Sequence, residues 1–494
     1  EICACLVGSE MCIRDRALMA ALTMTATAFV GCGDKEDSSS TADSSVAESS
    51  ADESSADAES SEDADSSEAE GGDTTGAPTP DGTLKDDDDT LSILCWTDTD
   101  LKAMFDVTSA KNPTYVNVGS SGSEANEQYV QYFSSGSDVD LFVCDADWVM
   151  SYENNDEYTA PLSALGIDES MYKDAYGYTV TLGTDSNGVL KGASWQAAAG
   201  GYAYRADLAE EYLGVTSPED MQAQIGDWDA FWKTAATVYE KSGNKTAMAD
   251  TIAGVWRAYS AGNRTTPWID ADGKFQPDAT KDFITMAKEN FDKGYITNVS
   301  QWTDDWKLIG QSEGTLANAT FGYFFPSWSM AAGGQLQDGE GGEGGSTYGM
   351  YGYTMGPTGW YWGGSWLCVS PNCNSATAAA QFVYDMTINA DTMKQYALAH
   401  SDFVNNKTVM ADVVAEGANK NPLLKDGQDQ FSTLLDSADN IKLDGIAGQN
   451  DGTINDAFVT AVQSYCNGEL DSEEACLDNF LDAVSAALPD VQVD

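Results

Sequence analysis

Aromatic and acidic side chains directly follow two short apolar segments that the sequence pattern predicts to be β-strands. One apolar run ends in Trp96 and is followed by Asp98, and a second, Val139–Cys144, is followed by Asp145 and Trp148. The carboxyl ends of strands in an open α/β sheet border the cleft where such sheets bind ligands. A flat indole ring packs on an apolar ligand face, and a carboxylate accepts hydrogen bonds from hydroxyl groups. These side chains therefore favour a site for a polyhydroxylated ligand.

Two structural alternatives stay open for these residues. The chain contains 13 Trp and 22 Tyr, and any one tryptophan can belong to a hydrophobic core rather than to a site. For Trp366, which lies inside a predicted strand, core packing is the preferred interpretation. Asp145 can instead act as the N-cap of a helix.

Three motifs that resemble calcium, catalytic or zinc sites lack a required residue. The segment Asp270–Gly273 resembles the start of a calcium loop, but Ala279 stands where the bidentate Glu is required, so a type I′ hairpin turn is favoured. His400 is the only histidine, so a Ser-His-Asp triad or a zinc–histidine site would have to be built around this one residue and is disfavoured. Cys368 and Cys373 have no second cysteine pair that would complete a zinc site. We expect no catalytic residue, no metal and no cofactor, although a glycoside hydrolase, which needs only two carboxylates, stays open.

Charge and length restrict the class of protein. The chain has 24 basic and 80 acidic residues and a formal net charge of −56. This excess argues against nucleic acid and against anionic lipid as charge-bound partners, because both require clustered Lys and Arg. Roughly 400 residues follow the N-terminal region, which is more than one core holds and predicts two lobes.

The first 89 residues predict a secretion signal, a lipid-modified cysteine and a disordered tether. Residues 1–16 lack an initiator Met, resemble translated adapter sequence, and are excluded from structural reasoning. Residues 17–31 contain an uncharged apolar stretch of signal-peptide length that is too short to span a membrane. The small residues before Cys32 resemble a lipobox, so Cys32 is predicted to carry a lipid; an ordinary cysteine after a secretory signal is the alternative. Residues 32–89 are rich in Ser, Asp and Glu and predict a disordered tether.

Alternating strand and helix patterns between residues 90 and 145 predict a mostly parallel α/β sheet. A hairpin is predicted for residues 179–191. Later helical patterns cover residues 228–241, 279–293, 375–389, 454–466 and 473–488.

The order of segments after residue 90 resembles the extracellular solute-binding proteins of the maltose-binding type, family 1. The matching segments are DVDLFVCDADW at 138–148, GASWQAAAGGYAYRADL at 192–208, GDWDAFW at 226–232, GTLANATFGYFFPSW at 314–328, GGSWLCVS at 363–370 and GQNDG at 448–452. The resemblance implies a type II periplasmic-binding-protein fold, in which two α/β lobes enclose a ligand in the cleft between them. Lobe 1 would comprise residues 90–195 and 362–435, and lobe 2 residues 196–361 and 436–490.

The resemblance also implies further ligand contacts. Trp328 occupies the position at which the family stacks a sugar. The other implied contacts, next to the crossings between lobes or at the start of a C-terminal helix, are Trp195, Tyr204, Trp360, Trp362, Gln449 and Asn450.

The function that the resemblance implies is binding without covalent chemistry. We expect a monomeric, lipid-anchored receptor on the extracellular face of the cytoplasmic membrane. It would capture a mono- or oligosaccharide and deliver it to the permease subunits of an ABC importer. A glycoside hydrolase and a receptor for a non-sugar solute are the alternatives.

An extracellular location favours oxidised cysteines. Proximity in the chain favours the disulfides Cys368–Cys373 and Cys466–Cys476. Cys95–Cys144 then remains, on strands that the family fold makes neighbours.

Overall fold

The computed structural model describes residues 76–110, 113–119, 122–277, 280–310, 319–331, 333–443 and 445–493. The predictions for residues 1–16, for the signal peptide at 17–31, for Cys32 and for the tether up to residue 75 lie outside the described residues.

Two sheets are built from short strands. In chain order the strands of the described residues are β1 (Ser92–Cys95), β2 (Thr114–Asn117), β3 (Leu141–Asp145), β4 (Gly192–Ser194), β5 (Ala199–Arg205), β6 (Thr246–Ala249), β7 (Ala319–Pro326), β8 (Tyr351–Thr354), β9 (Trp360–Tyr361) and β10 (Ser365–Val369).

Helices follow or separate most of these strands. In the described residues they are α1 (Thr99–Val107), α2 (Gly122–Ser134), α3 (Val149–Glu153), α4 (Gly177–Leu182), α5 (Ala206–Leu208), α6 (Pro218–Ile225), α7 (Trp228–Lys241), α8 (Ile252–Asn263), α9 (Thr280–Asp292), α10 (Asp304–Leu308), α11 (Ser327–Met330), α12 (Gln335–Asp338), α13 (Ala376–Thr387), α14 (Ala390–His400), α15 (Lys407–Glu416), α16 (Gln430–Asp439), α17 (Asp451–Cys466) and α18 (Glu473–Ala487). Short 3₁₀-helices occupy Leu162–Leu165, Glu169–Tyr172 and Lys425–Gly427, and a π-helical turn occupies Ala209–Leu213.

Each sheet combines parallel and antiparallel neighbours. The first sheet has the order β2-β1-β3-β10-β4, with β1 parallel to β2 and β3, and β10 antiparallel to β3 and β4. The second has the order β6-β7-β5-β8, with β9 also paired to β5. The strands of the first sheet fall within residues 90–195 and 362–435, and those of the second within 196–361. The predicted α/β architecture is therefore confirmed, while the lobe boundaries stay a prediction.

Both faces of the second sheet are buried. Successive side chains of a strand point to opposite sides, so each strand contributes to a core on either face. Phe325 joins a core that also surrounds the first sheet, including Phe142 and Leu367. Its neighbour Phe324 joins a second core, to which Phe458 of α17 belongs. The second sheet is thus the layer that both cores share.

Several helices begin directly after a residue whose side chain caps the helix N-terminus. Asp227 accepts a hydrogen bond from the backbone N–H of Ala230 at the start of α7, the helix predicted for 228–241. Ser217 caps α6 in the same way and is followed by Pro218, a residue suited to the first helical position. Such caps satisfy N–H groups that have no partner within the helix.

The predicted tether is wrong in its last part, because residues 76–89 pack against the first sheet's side of the protein. The Asp86 carboxylate accepts hydrogen bonds from the backbone N–H and the hydroxyl of Thr377, at 2.9 and 2.7 Å. The N–H of Ala376 donates to the carbonyl of Lys85 at 3.1 Å. An acidic side chain at a helix N-terminus is stabilising, so Asp86 serves as a cap for α13.

Two turn predictions need correction. Residues 177–182 form helix α4 rather than the first arm of a hairpin, although Thr184 and Leu190 do pair across the predicted turn. The turn at Asp270 is present, but only Gly273 has a positive φ, of 79°. A type I′ turn requires positive φ at both central residues, so this turn is of another type, followed by a left-handed glycine.

The three predicted disulfides are absent, because all six cysteines of the described chain are free. β1 pairs with β3 in a register that sets Leu94 opposite Phe142, which places Cys95 beside Val143 and not beside Cys144. The thiol of Cys144 interacts instead with that of Cys368 on β10.

Within the described ranges, no helix is long and apolar enough to cross a membrane.

Candidate functional site

Three tryptophan side chains gather where the second sheet meets the loops of the first. The rings of Trp302 and Trp328 are nearly parallel, at 12°, with centroids 6.2 Å apart. Trp362 lies at a steep angle to both, 5.5 Å from Trp302 and 5.4 Å from Trp328. The indole N–H of Trp328 donates to the carbonyl of Trp362 at 2.8 Å, which fixes the orientation of its ring. We call these three residues the tryptophan cluster.

Trp302 is the exposed member of the cluster and has an unusual backbone. Its side chain is 56% exposed, the largest value among the exposed large apolar residues of the described chain. Its φ is +68°, a left-handed conformation that costs an ordinary residue about 1 kcal/mol. Residues with strained backbone conformations cluster at functional sites. The neighbouring Trp306 is buried, donates to the carboxylate of Asp250 at 2.9 Å and supports the Trp302 ring from 5.1 Å.

Asp145, at the end of β3, stands beside the tryptophan cluster. Its Oδ1 accepts the N–H of Asp147 at 2.8 Å, while Oδ2 has no donor among the described residues. Gly363 has a φ of +63°, and a Cβ there would lie 3.3 Å from that Oδ2 and 3.5 Å from the Trp328 nitrogen. Burial, reinforced by the charge of Asp147, raises the pKa of Asp145 to about 7. A hydrogen-bonding carboxyl group is therefore available next to aromatic faces.

An arginine from α8 faces these carboxylates. The guanidinium of Arg257 donates to both oxygens of Asp147, at 3.0 and 2.8 Å, and lies 5.3 Å from the centre of the Trp362 ring. Burial would lower the pKa of Arg257, but the charges of Asp147, Asp456 and Asp145 raise it. The guanidinium is therefore fixed as a cation.

A shallow pocket that is open to solvent extends from Arg257 along α8 to the start of α17. Arg264 lines it and donates to Asp451 at 3.0 Å and to the carbonyl of Ile446 at 3.1 Å. Burial raises the pKa of Asp451, and the charge of Arg264 opposes that rise. The cavity volume of this pocket is about 40 Å³, which is far smaller than that of pockets that hold small ligands.

Three of the predicted ligand contacts are core residues. Trp195 is 1% exposed, Tyr204 2% and Trp360 0%. A Cβ at Gly200 would lie 2.4 Å from the Trp360 ring, so this indole packs flat on the backbone of β5. The prediction that these three residues line the cleft is wrong, because Trp195 packs in the core around the first sheet and Tyr204 and Trp360 pack in the second core.

The remaining predicted contacts lie around the first sheet's end. Trp96 is half-buried and contacts Trp148 edge-on, with centroids 5.6 Å apart; Trp148 itself is 6% exposed and belongs to the core. Asp98 accepts hydrogen bonds from Lys102, at 2.8 Å, and from the hydroxyl of Tyr115, at 3.0 Å.

Gln449 accepts a hydrogen bond from Asn154 at 3.2 Å, a contact between the first sheet's α3 and the α17 region. Asn450 occupies the N-cap position of α17 without capping it through its side chain. Of the predicted contacts, Asp145, Trp328 and Trp362 are thus brought together in one place.

Sequence reasoning missed Trp302, Asp147 and Arg257. The signal for Trp302 was present, since a tryptophan surrounded by Asn, Ser, Gln, Thr and Asp is unlike a core position. Arg257 lies on an amphipathic helix and becomes visible as a site residue only once α8 is placed against β3. Among the described residues, no group of three or more His, Cys, Asp or Glu could hold a metal ion.

The fold is similar to that of known proteins. A solved extracellular solute-binding protein of family 1 has a TM-score of 0.67 at 18% identity, covering 81% of this chain and 99% of that chain. The ABC transporter associated binding protein from B. animalis subsp. lactis Bl-04, in complex with β-1,6-galactobiose, has a TM-score of 0.63 at 15% identity (82% and 99% covered). Maltose-bound MalE3 of T. maritima has a TM-score of 0.56 at 17% identity (80% and 98% covered). These likenesses confirm the predicted two-lobe type II fold.

No curated protein matches the chain. The sequence profile described as "Bacterial extracellular solute-binding protein" matches residues 103–425, which is more than half of the chain. The protein therefore belongs to the bacterial extracellular solute-binding proteins.

Proposed function

We propose that the protein is the substrate-binding component of an ABC importer and that it captures a neutral carbohydrate in the cleft between its two sheets. The observation that carries this proposal is the tryptophan cluster beside Oδ2 of Asp145. Indole faces match the apolar CH face of a pyranose, and a carboxylate accepts hydrogen bonds from its hydroxyl groups. Trp302 is the ring that a ligand reaches from solvent.

The division into lobes follows the two sheets in this proposal. Lobe 1 comprises residues 90–195 and 362–435 and supplies Asp145 and Asp147. Lobe 2 comprises residues 196–361 and 436–490 and supplies Trp302, Trp328 and Arg257. Relatives of the same fold that are bound to β-1,6-galactobiose and to maltose support a carbohydrate as the ligand class.

Delivery completes the proposed role. A lipid on Cys32 anchors the protein, as a monomer, at the extracellular face of the cytoplasmic membrane. The Ser-, Asp- and Glu-rich segment before residue 76 is the proposed tether, and the loaded lobes dock on the permease subunits. The replacement Cys32→Ala should move the protein from the membrane fraction to the medium, and retention of the variant on membranes contradicts the anchor.

A thermal-shift screen tests the ligand class. The panel contains maltose, β-1,6-galactobiose, longer neutral oligosaccharides and D-mannitol, with amino acids and dipeptides as the non-sugar arm. A ligand at about 100 times its Kd adds roughly 2.7 kcal/mol to the free energy of unfolding, which is a visible shift. A shift with a saccharide supports the proposal, and product analysis of the same sample must show the saccharide intact. Shifts confined to the non-sugar arm, or cleavage of the saccharide, contradict it.

The variant Trp328→Phe, with Tyr348→Ala as a control, tests whether the ligand binds at the tryptophan cluster. Phe keeps an aromatic ring but loses the N–H that donates to Trp362. Tyr348 is 40% exposed and lies outside the cluster. We expect Trp328→Phe to weaken the saccharide response and Tyr348→Ala to leave it unchanged.

A further inference from the structure

Gly363 lies in the crossing between β9 and β10, and backbone hydrogen bonds fix the chain on both sides of it. The N–H of Trp362 donates to the carbonyl of Ala198 at 3.0 Å, and the carbonyl of Gly364 accepts the N–H of Ala146 at 3.2 Å. Ala198 directly precedes β5 of the second sheet, and Ala146 directly follows β3 of the first. These two hydrogen bonds therefore hold Gly363 at the place where the two sheets meet.

The left-handed backbone of Gly363, with a φ of +63°, does not by itself explain why this residue is a glycine. Left-handed conformations disfavour a side chain but do not exclude one. Four residues of the described chain carry a side chain at φ values between +53° and +68°, namely Asn244, Trp302, Ser401 and Asp426. The reason for glycine at position 363 is therefore sought in its surroundings.

A side chain at position 363 would contact both the carboxylate of Asp145 and the indole of Trp328. A Cβ there would lie 3.3 Å from Oδ2 of Asp145, 3.5 Å from Nε1 of Trp328 and 3.9 Å from Cε2 of the same ring. We call the space that such a Cβ would fill the Gly363 notch. Because position 363 has no side chain, this side of Oδ2 stays uncovered.

The Gly363 notch offers a ligand one hydrogen-bonding atom. The indole N–H of Trp328 already donates to the carbonyl of Trp362 at 2.8 Å. Oδ2 of Asp145 has no donor among the described residues. A carboxylate oxygen only accepts hydrogen bonds, so a ligand group in the notch has to supply the proton. In a neutral carbohydrate that group is a hydroxyl.

We propose that Gly363 determines ligand specificity, because its missing side chain lets a free sugar hydroxyl reach Oδ2 of Asp145 along the edge of Trp328. A hydroxyl oxygen approaches a carboxylate oxygen to about 2.5–3.0 Å. A methyl carbon 3.3 Å from Oδ2 would occupy the same side of that atom. A hydroxyl that is alkylated or glycosidically linked has no proton to donate, so the notch selects a free one. This inference rests on the carbohydrate ligand of the proposed function and adds the residue that selects its contacting group.

Calorimetry on the full chain tests the notch, with maltose, β-1,6-galactobiose and the longer neutral oligosaccharides of the panel as probes. Gly363→Ala places a methyl group in the notch. Gly417→Ala is the matched control, because Gly417 has a φ of +60° and a Cβ there would meet no atom within 4 Å. Both variants introduce a similar left-handed strain, so their melting temperatures should fall by similar amounts. We expect Gly363→Ala to weaken saccharide affinity about tenfold or more, the loss of one hydrogen bond to a charged group, and Gly417→Ala to bind as the wild-type chain does.

A double-mutant cycle with Asp145→Asn separates an effect through Oδ2 from a merely structural one. If Gly363 acts through Oδ2, Gly363→Ala should change affinity less than about twofold in the Asp145→Asn chain, because the carboxylate is already lost. Wild-type affinity in Gly363→Ala, or an undiminished tenfold loss in the Asp145→Asn chain, overturns the inference while leaving the proposed function intact. Absence of saccharide binding by the wild-type chain overturns both, so the two failures are distinguishable.

Discussion

The tryptophans of the second sheet's core and those of the tryptophan cluster show how one residue type takes two roles. Trp360 is fully buried, and its indole nitrogen has no hydrogen-bond partner among the described residues. Trp328 is half-buried, and its nitrogen is fixed by the carbonyl of Trp362. Trp302 is mostly exposed on a strained backbone. Burial thus assigns Trp360 to stability. The exposure of Trp302 and the fixed ring of Trp328 assign these two residues to recognition, and Trp362, only 7% exposed, supports them from the second core.

The largest effect should come from a core tryptophan. Trp360→Ala removes a ring packed on the backbone at Gly200 and should lower the free energy of unfolding by about 3–5 kcal/mol. Urea denaturation measures this loss of unfolding free energy. Trp302→Ala is the matched control, because it deletes an exposed indole. A loss below about 1 kcal/mol for Trp360→Ala would break the comparison between the two groups.

Asp402 and Asp145 have similarly raised pKa values, and they extend the comparison between core and site. Burial, with the charge of Asp100, raises the pKa of Asp402 to about 7, and this side chain is only 6% exposed in the core of the first sheet's side. An unfolded Asp titrates near 3.9, so between about pH 4 and 7 the folded state binds more protons. Stability should therefore fall as pH rises through this window.

Asp402→Asn should remove the part of that decline that this carboxyl causes, roughly 2–4 kcal/mol across the window, while Asp100 and Asp145, whose pKa values are also raised, still contribute. Urea titrations at several pH values measure it. A pH profile that is the same in Asp402→Asn and in the wild-type chain would exclude Asp402 as its cause.

Asp145, by contrast, should affect binding. Its ionised form is the better hydrogen-bond acceptor, so a ligand hydroxyl favours the deprotonated state. Affinity for the saccharide identified in the screen should rise as pH increases through about 7, by about tenfold between roughly pH 5.5 and 8. Isothermal titration calorimetry with Asp145→Asn should give a nearly flat profile. A wild-type affinity that does not depend on pH would contradict this role.

Much of the fold could be predicted because its periodicity is local. The helix predicted for residues 228–241 has the bounds of α7, since Asp227 caps it and its apolar residues repeat at helical spacing. The strands predicted before Trp96 and Asp145 are present as β1 and β3, for the same reason. The docking of Asp86 on α13 was missed because Thr377 is almost 300 residues away in the chain.

The site was predicted only in part, for a physical reason. Asp145, Trp328 and Trp362 follow or flank strands, and a strand's end specifies where its side chains meet. Trp195, Tyr204 and Trp360 also lie near strand ends, but core side chains cover both faces of the second sheet, so a place near a strand end does not by itself bring a side chain to the cleft. The contacts of Arg257 depend on how α8 packs between the two sheets, which no local sequence pattern predicts.

The variant Trp302→Gly tests the central claim most directly. Glycine adopts the left-handed conformation of this position at little cost, so the unliganded melting temperature should stay the same or rise. The same change removes the ring that a ligand meets first. Calorimetry with the saccharide identified in the screen should show affinity at least about tenfold weaker, while Tyr348→Ala binds as the wild-type chain does. Wild-type affinity in Trp302→Gly would contradict the assignment of the tryptophan cluster as the carbohydrate site.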